Sequence, residues 1–346
     1  MNFIKKINFW ALLICFVMLV SGCGKDAVTE TENNDEAPQN VEETKEENKT
    51  EEGMFLSQYI ETKARPVAIM VDNDNEDARP QAGLNDAYLI YEIVVEGGST
   101  RFMALFNGVD TKKIGPIRSS RHYFLDYVME NDAIYTHFGW SPKAAQDISA
   151  FRINNVNGVA GGDASVFWRD YTYTSDWHSA FTSIENVKNK AKTKYDMESD
   201  RDNGIKYAEK YFNLPAENVA NEIALNYSYH YRTGYTYNAE TGLYEKTINS
   251  KPHAMQDGQV VKVKNVIVQL IADTSLGDGT ARRNVDTTGS GKGYYFTNGA
   301  YEEITWSKAS RKDNTIYKKA DGTELEINPG KTIINIINPA IGVVIK

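Results

Sequence analysis

The sequence predicts an α/β layered N-terminal domain followed by a mostly β C-terminal domain, carried behind a leader and an acidic spacer. Three observations predict this. Strand-like and helix-like segments alternate from residue 54 to 214, and short strands separated by tight-turn dipeptides fill 215–346. The first 53 residues pass from apolar to strongly acidic without a folding pattern.

The leader opens with Lys5 and Lys6, and Trp10 to Val20 is an apolar run. About eleven residues cannot cross roughly 30 Å of hydrocarbon as a helix, so residues 1–22 read as a signal peptide. Val20-Ser21-Gly22-Cys23 closes the run with small residues and a cysteine instead of an Ala-x-Ala site. It resembles the lipobox of bacterial lipoproteins, in which lipid joins the cysteine sulfur. The resemblance implies a diacylglyceryl group on Cys23, acylation by a fatty acid such as palmitate, and residence at the outer face of the cytoplasmic membrane. Two chains suffice for stable anchoring where one is marginal.

Cys23 is followed by a spacer, Gly24 to Gly53, with eleven Asp or Glu, three Lys and no aromatic residue. Such a segment cannot bury enough apolar surface to fold, so residues 23–53 read as a lipidated cysteine and a disordered tether. Taking the leader's +2 and the spacer's −8 from the chain total of −9 leaves −3 for Met54 to Lys346. A nearly neutral segment offers no basic field for nucleic acid. Roughly 290 residues exceed one ordinary core, which predicts two domains, 54–214 and 215–346. The two cysteines are Cys15, lost with the leader, and Cys23, so the mature chain is expected to hold no disulfide. The five histidines lack ligand spacing, and neither a metal nor another cofactor is expected.

The elements follow in order. Pro66 to Val71 is continuously apolar and predicts a strand buried on both faces, ended by a turn at Asp72 to Asn75. Ala87 to Glu96 is a second strand; Gly97-Gly98 turns the chain, and Arg101 to Phe106 returns antiparallel. Lys113 to Ile117 is short and extended, Arg121 to Glu130 has helical spacing, and Ala133 to Phe138 is a strand. Ser141-Pro142 opens a helix through Phe151, and Thr182 to Tyr195 is another. Beyond Pro215, Asn226 to Asn238 alternates with tyrosines at 227, 229 and 231 on one face. Lys262 to Ile271, Gly293 to Asn298, Tyr301 to Trp306, Thr315 to Lys319 and Thr332 to Ile337 are further strands. Asn298-Gly299 and Asp321-Gly322 mark tight turns.

Gly115-Pro116-Ile117-Arg118-Ser119-Ser120-Arg121 delivers two arginines and two hydroxyls to a strand-to-helix junction. Helix-start amides favour anions, and guanidinium forks grip phosphate or carboxylate with two prongs. With Arg79 and Arg101 near other strand ends, the residues Arg79, Arg101, Arg118, Ser119, Ser120 and Arg121 form a candidate anion-binding patch. Asp72, Glu92, Glu96, His137 and His178 are candidate supporting groups. Glu92 and Glu96 are expected on one strand face about 13 Å apart, too far for a dyad acting on one bond. A competing reading pairs the arginines with Glu92 and Glu96 as a buried ion network. Catalysis is a third.

Other motifs are weaker. His137 to Pro142 has the strand, Gly-x-Ser and helix of a nucleophile elbow, but Lys143 stands where a second glycine is required, so Ser141 reads as a helix cap. Gly289-Ser290-Gly291-Lys292-Gly293 lacks the first glycine and the final hydroxyl of a phosphate loop and reads as a glycine-rich β turn. The tyrosine stripe reads as sheet core, with sugar stacking as its alternative.

A series of motifs in order resembles the YerB-like lipoproteins of Gram-positive bacteria. It comprises Arg65 to Asn73, Ala78-Arg79-Pro80-Gln81-Ala82-Gly83-Leu84, Tyr91-Glu92, Val95-Glu96-Gly97-Gly98, Thr100-Arg101-Phe102 and Gly115 to Arg121. It continues through His137, Ser141-Pro142, Trp168-Arg169-Asp170 and Lys264 to Val268. Two departures stand out: Trp177-His178-Ser179 replaces Pro-His-Asn, and Lys246 stands where arginine is usual. The resemblance implies an envelope location and two domains of unknown function, and it brings no reaction. No complete nucleophile, base or metal set appears, which favours a non-enzymatic protein binding a ligand, an envelope protein or a wall polymer. The alternative is a cell-wall enzyme acting on phosphate-linked glycan or lipid precursors, with the arginines stabilising developing charge. Cys23→Ser is expected to abolish incorporation of radiolabelled palmitate; label retained on that variant would remove the lipid-anchor reading.

Overall fold

The computed structural model describes residues 50–346 apart from Asn75, Gly161, Ser175 and Asp176; the leader, Cys23 and the spacer to residue 49 lie outside the described residues. The last residues assigned to the spacer are helical. Thr50 Oγ1 accepts the Gly53 amide at 3.3 Å and caps α1 (Glu51–Phe55), which runs on into a wider turn over Leu56–Ile60. Phe55 and Tyr59, four residues apart, meet the rings of Tyr207 and Tyr88, and Glu51 and Glu52 fall in the first turn, where carboxylates favour the helix dipole.

The N-terminal region is mixed α/β and the C-terminal region is nearly all strands, as the sequence predicts. Its strands β1 (Val67–Asn73), β2 (Leu89–Val94), β3 (Thr100–Phe106), β4 (Ile134–His137) and β5 (Asn155–Asn157) do not close a sheet of their own. They form one half of a ten-stranded sheet. From one edge the order is Ile316–Lys318, Ala300–Lys308, Gly289–Thr297, Asn265–Leu270, Thr332–Ile337, β2, β3, β1, β4, β5. The join is parallel: β2 pairs with Thr332–Ile337, with Tyr91 opposite Ile334 and Glu92 opposite Asn335. β1, β2 and β3 are buried along their whole length, which explains the continuous apolar run that opens β1.

One face of the sheet carries α2 (Phe124–Glu130), which buries Phe124, Tyr127 and Val128. α3 (Pro142–Phe151) begins where Ser141 Oγ accepts the Ala144 amide at 3.3 Å. α4 (Ile184–Ala191) is capped in the same way by Ser183. The other face is covered by a second sheet built from Glu222–Asn226, Arg232–Asn238, Leu243–Ile248 and Val343–Ile345. The predicted strand from Asn226 to Asn238 is therefore a hairpin interrupted at 227–231. Tyr227 and Tyr231 turn inward, with Tyr227 donating to the Glu92 carbonyl at 3.0 Å, while Tyr229 is 97 % exposed at the tip. The segment Gly289 to Gly293 is a strand rather than a turn. A Cβ on Gly293 would lie 2.4 Å from the Val268 carbonyl oxygen, so glycine there lets neighbouring strands close. Asn298-Gly299 makes the expected two-residue turn, with both φ positive.

Two buried Glu–Lys pairs connect the halves, one on each face. On the second-sheet face, Glu92 accepts from Thr100 at 2.9 Å, Tyr231 at 2.6 Å and Thr233 at 2.9 Å, and pairs with Lys246 at 3.0 Å. On the helix face, Glu130 pairs with Lys308 and accepts the Thr315 hydroxyl at 2.7 Å. Both lysine side chains are almost wholly buried. Lys246→Ala leaves the buried Glu92 without its cation, so urea unfolding is expected to show a loss of about 3–5 kcal/mol. An unchanged midpoint would mean that the surrounding hydroxyls alone hold the carboxylate.

Candidate functional site

β1 and β4 run parallel and pair from Val67–Ile69 against Ile134–Thr136. Beyond Ile69 they part, and the glycine–arginine motif inserts between them. The Arg118 amide donates to the Met70 carbonyl at 3.0 Å, and the Phe138 amide donates to the Arg118 carbonyl at 2.9 Å. Gly115 (φ +149°) makes the entry possible, because a Cβ there would lie 2.8 Å from both the Ala180 carbonyl oxygen and the Phe181 ring. The motif thus sits at the carboxyl ends of parallel strands, where open α/β sheets place their ligands. The helix-start argument fails locally: α2 begins at Phe124, and the Ser120 amide is spent on the Gly139 carbonyl.

Strand register decides which groups meet. Asp72 lies opposite Arg101 across β1 and β3, which places both side chains on the helix face. Asp72 is fully buried, ion-paired with Arg118 Nε at 2.7 Å, and accepts from His178 Nδ1 at 2.6 Å. The Arg118 guanidinium lies 3.5 Å from the centroid of the Trp177 ring, which is half exposed. Its terminal nitrogens donate to no described residue. Arg121 grips Glu96 with two bonds, Nε at 2.6 Å and Nη2 at 2.8 Å. Arg101 Nη1 donates to the Ser119 carbonyl at 2.6 Å and Nη2 stands 3.7 Å from Glu96, while its buried Nε finds no acceptor among the described residues.

The other candidates are distributed differently. Glu92 faces the second sheet, whereas β2 ends at Val94 and a 3₁₀ turn at Glu96–Gly98 swings Glu96 toward Arg121; the two carboxylates share no face. Arg79 donates to Asn73 Oδ1 at 3.0 Å on the second-sheet side, apart from the other arginines. Ser120 is buried, and the Ser119 hydroxyl donates to the Phe138 carbonyl at 3.0 Å. His137 donates from Nδ1 to the Gly139 carbonyl at 2.7 Å; burial lowers its imidazole to about 4, which keeps it neutral. Residues at both departures from the family pattern carry specific partners: Trp177 lies against Arg118, and Lys246 pairs with Glu92, while the shared His178 holds Asp72. Sequence reasoning missed Trp177 as the plate beneath Arg118. The available signal was the clustering of Trp168, Tyr171, Tyr173 and Trp177 in an otherwise polar segment.

Electrostatically the cluster sets three guanidinium groups (Arg101, Arg118, Arg121) against two carboxylates (Asp72, Glu96) within ion-pair reach, and Asp74 attracts Arg118 from farther off. Burial lowers Arg101 to about 10, and repulsion from Arg121 adds to it against the pull of Asp72. Burial alone would raise the Asp72 carboxyl; the His178 hydrogen bond with Arg118 and Arg101 reverses this and holds it below the carboxylate range. A depressed carboxyl stabilises the fold above its unfolded pKa of about 4 and loses that contribution as pH falls through the lower folded value. Asp72→Asn is therefore expected to cost about 2–3 kcal/mol at neutral pH and to lose less on acidification below about pH 4. Urea midpoints across that range check it; parallel acid slopes for the two proteins would contradict it.

Comparison with known proteins places this geometry in a family. Residues 53–198 match the family model described as "Protein of unknown function (DUF3048) N-terminal domain", and residues 223–334 match its C-terminal counterpart. The chain is 31% identical over 344 residues to "Putative lipoprotein YerB" of Bacillus subtilis, covering 96% of this chain and 95% of that protein. The crystal structure of YerB protein from Bacillus subtilis superposes with a TM-score of 0.71 at 28% identity, covering 82% of this chain and 94% of that one. The protein belongs to the family defined by the paired N- and C-terminal DUF3048 domains.

Proposed function

We propose that this protein is a lipid-anchored binding protein of the cell envelope, held through Cys23 at the outer face of the cytoplasmic membrane. Its ligand is recognised through an anionic group at Arg101, Arg118 and Arg121. The anchor rests on the Val20 to Cys23 motif and on the printed name of the Bacillus relative. One observation carries the binding reading. Arg118 is fixed from below by Asp72 and across its face by Trp177, yet its fork ends without a described acceptor. A guanidinium whose orientation is already set loses little entropy on gripping a two-pronged anion. Arg101, buried with an unaccepted Nε, adds positive charge that an arriving anion would offset.

The test is calorimetric titration of the full chain in non-ionic detergent with inorganic phosphate and with pyrophosphate. Saturable binding is expected, weakened about tenfold by Arg118→Lys, which keeps the charge and loses the fork. A folded protein that binds neither, or equal affinity in the variant, overturns the reading. A second reading, a cell-wall enzyme acting on phosphate-linked precursors, draws on the Asp72–His178 hydrogen bond of 2.6 Å, since a carboxylate that orients an imidazole is part of a general-base arrangement. Phosphate release from lipid-linked precursors with magnesium, lost in His178→Gln, would support it; no release removes it.

A further inference from the structure

The pole of the sheet that holds the arginines also gathers exposed aromatic surface. Trp140, Tyr171, Tyr173, Trp177 and Tyr229 are 38 %, 59 %, 50 %, 52 % and 97 % exposed. Trp140 follows β4, and the next three belong to the loop whose His178 reaches Asp72. Tyr229 tips the hairpin whose Ser228 sits so close to Gly98 that a Cβ there would lie 2.6 Å away. None of these rings is needed to close the core, and exposed apolar clusters mark interaction sites. On the far side of Glu96 the surface sinks into a cavity of about 460 Å³, lined by Val94, Tyr227, Ile341 and Asn338 and by the ion-paired Asp273 and Arg283. The cavity begins at Gly97, next in sequence to the carboxylate that Arg121 grips.

We propose that this pole binds an anionic glycan, its sugar rings lying on the exposed aromatic faces, its acidic substituent at the arginine centre and a further unit in the cavity beyond Glu96. The proposal rests on the anion-binding reading and names the ligand class. Three features select a glycan over a peptide or a lone anion. A pyranose offers a face of polarised C–H groups to the electron-rich side of an indole or phenol ring. At the arginine centre the carboxyl ends of β1 and β4 are already bonded to the inserted motif, so that point has no open ladder to offer an extended peptide. The apolar part of the cavity lining, with Asp273 and Arg283 satisfying each other's charge, suits a neutral polyol unit more than a second charge.

The experiment uses the mature chain carrying Cys23→Ser and four probes. These are a wall glycan bearing phosphodiesters, the same glycan stripped of phosphate by hydrofluoric acid, inorganic phosphate, and vesicles of phosphatidylglycerol. The phosphodiester glycan is expected to bind at least about tenfold more tightly than either the stripped glycan or phosphate. The pair Tyr171→Ala with Tyr229→Ala, and separately Ala281→Trp, which fills the cavity, should each weaken glycan binding about tenfold and leave phosphate affinity unchanged. If phosphate binds but the glycan binds no better, the glycan proposal fails and the anion reading stands. If the glycan binds through the aromatic rings while Arg118→Lys changes nothing, the anion centre fails. Binding to vesicles alone overturns both the glycan and its placement.

Discussion

The parallel pairing of β2 with Thr332–Ile337 is the constraint on which the molecule depends. A parallel pair cannot be made by a tight turn, and here the chain travels through more than two hundred residues before it returns. Everything between must fold consistently with that closure. Glu92 and Glu130, contributed early in the chain, are neutralised by Lys246 and Lys308, contributed late, on opposite faces of the seam. Breaking the seam would strand two buried carboxylates and two buried ammonium groups at once, so the halves have strong reason to fold as one body. The family models divide the chain near residue 200, while the sheet continues across that division.

The seam also organises the polar interior. Alternation along β1 sends Asp72 to the helix face and Asn73 to the second-sheet face. Asn73 donates to Thr100 at 2.8 Å, and Thr100 donates to Glu92, so the buried Glu–Lys pair is two hydrogen bonds from β1, the strand whose Asp72 pairs with Arg118. Gln81 joins the same group, donating to the Asn73 side chain at 3.1 Å and contacting His253 at 2.8 Å. The arginine site is thereby built on a strand whose opposite face is fully committed. Such backing fixes a binding group's position better than loops alone.

Much of this was legible in the sequence, for identifiable reasons. A continuous apolar run gave β1, the Gly97-Gly98 turn gave β3 as the returning partner of the strand before it, and Ser141-Pro142 placed the start of α3 correctly. The arginine motif was conspicuous because Gly-Pro and paired arginines rarely serve packing alone. What stayed hidden depends on partners remote in the chain. Glu92 and Glu96 look like strand neighbours until the turn after Val94 separates them. The His178–Asp72 bond spans 106 positions and has no local signature. Period-2 alternation of tyrosines could not show that residues 227–231 turn a corner, because a hairpin tip and a strand share that spacing over so short a stretch.

The entry of the chain has a mechanical consequence. α1 and the turn after it pack on Tyr88 and Tyr207, at the amino ends of the strands, whereas Asp72 and the arginines lie at the carboxyl ends. Tension between residue 50 and an object gripped at the arginine cluster would run lengthwise through β1. The bonds of β1 to β3 stand across that direction, from Val67–Phe106 to Asn73–Thr100, and would be loaded together in shear instead of being peeled one after another. A strand pair pulled in that direction resists far more force than the same pair unzipped from one end. Were the chain held at residue 50 and loaded at the arginine cluster, β1 would carry that load along its length, with its bonds to β3 set across it.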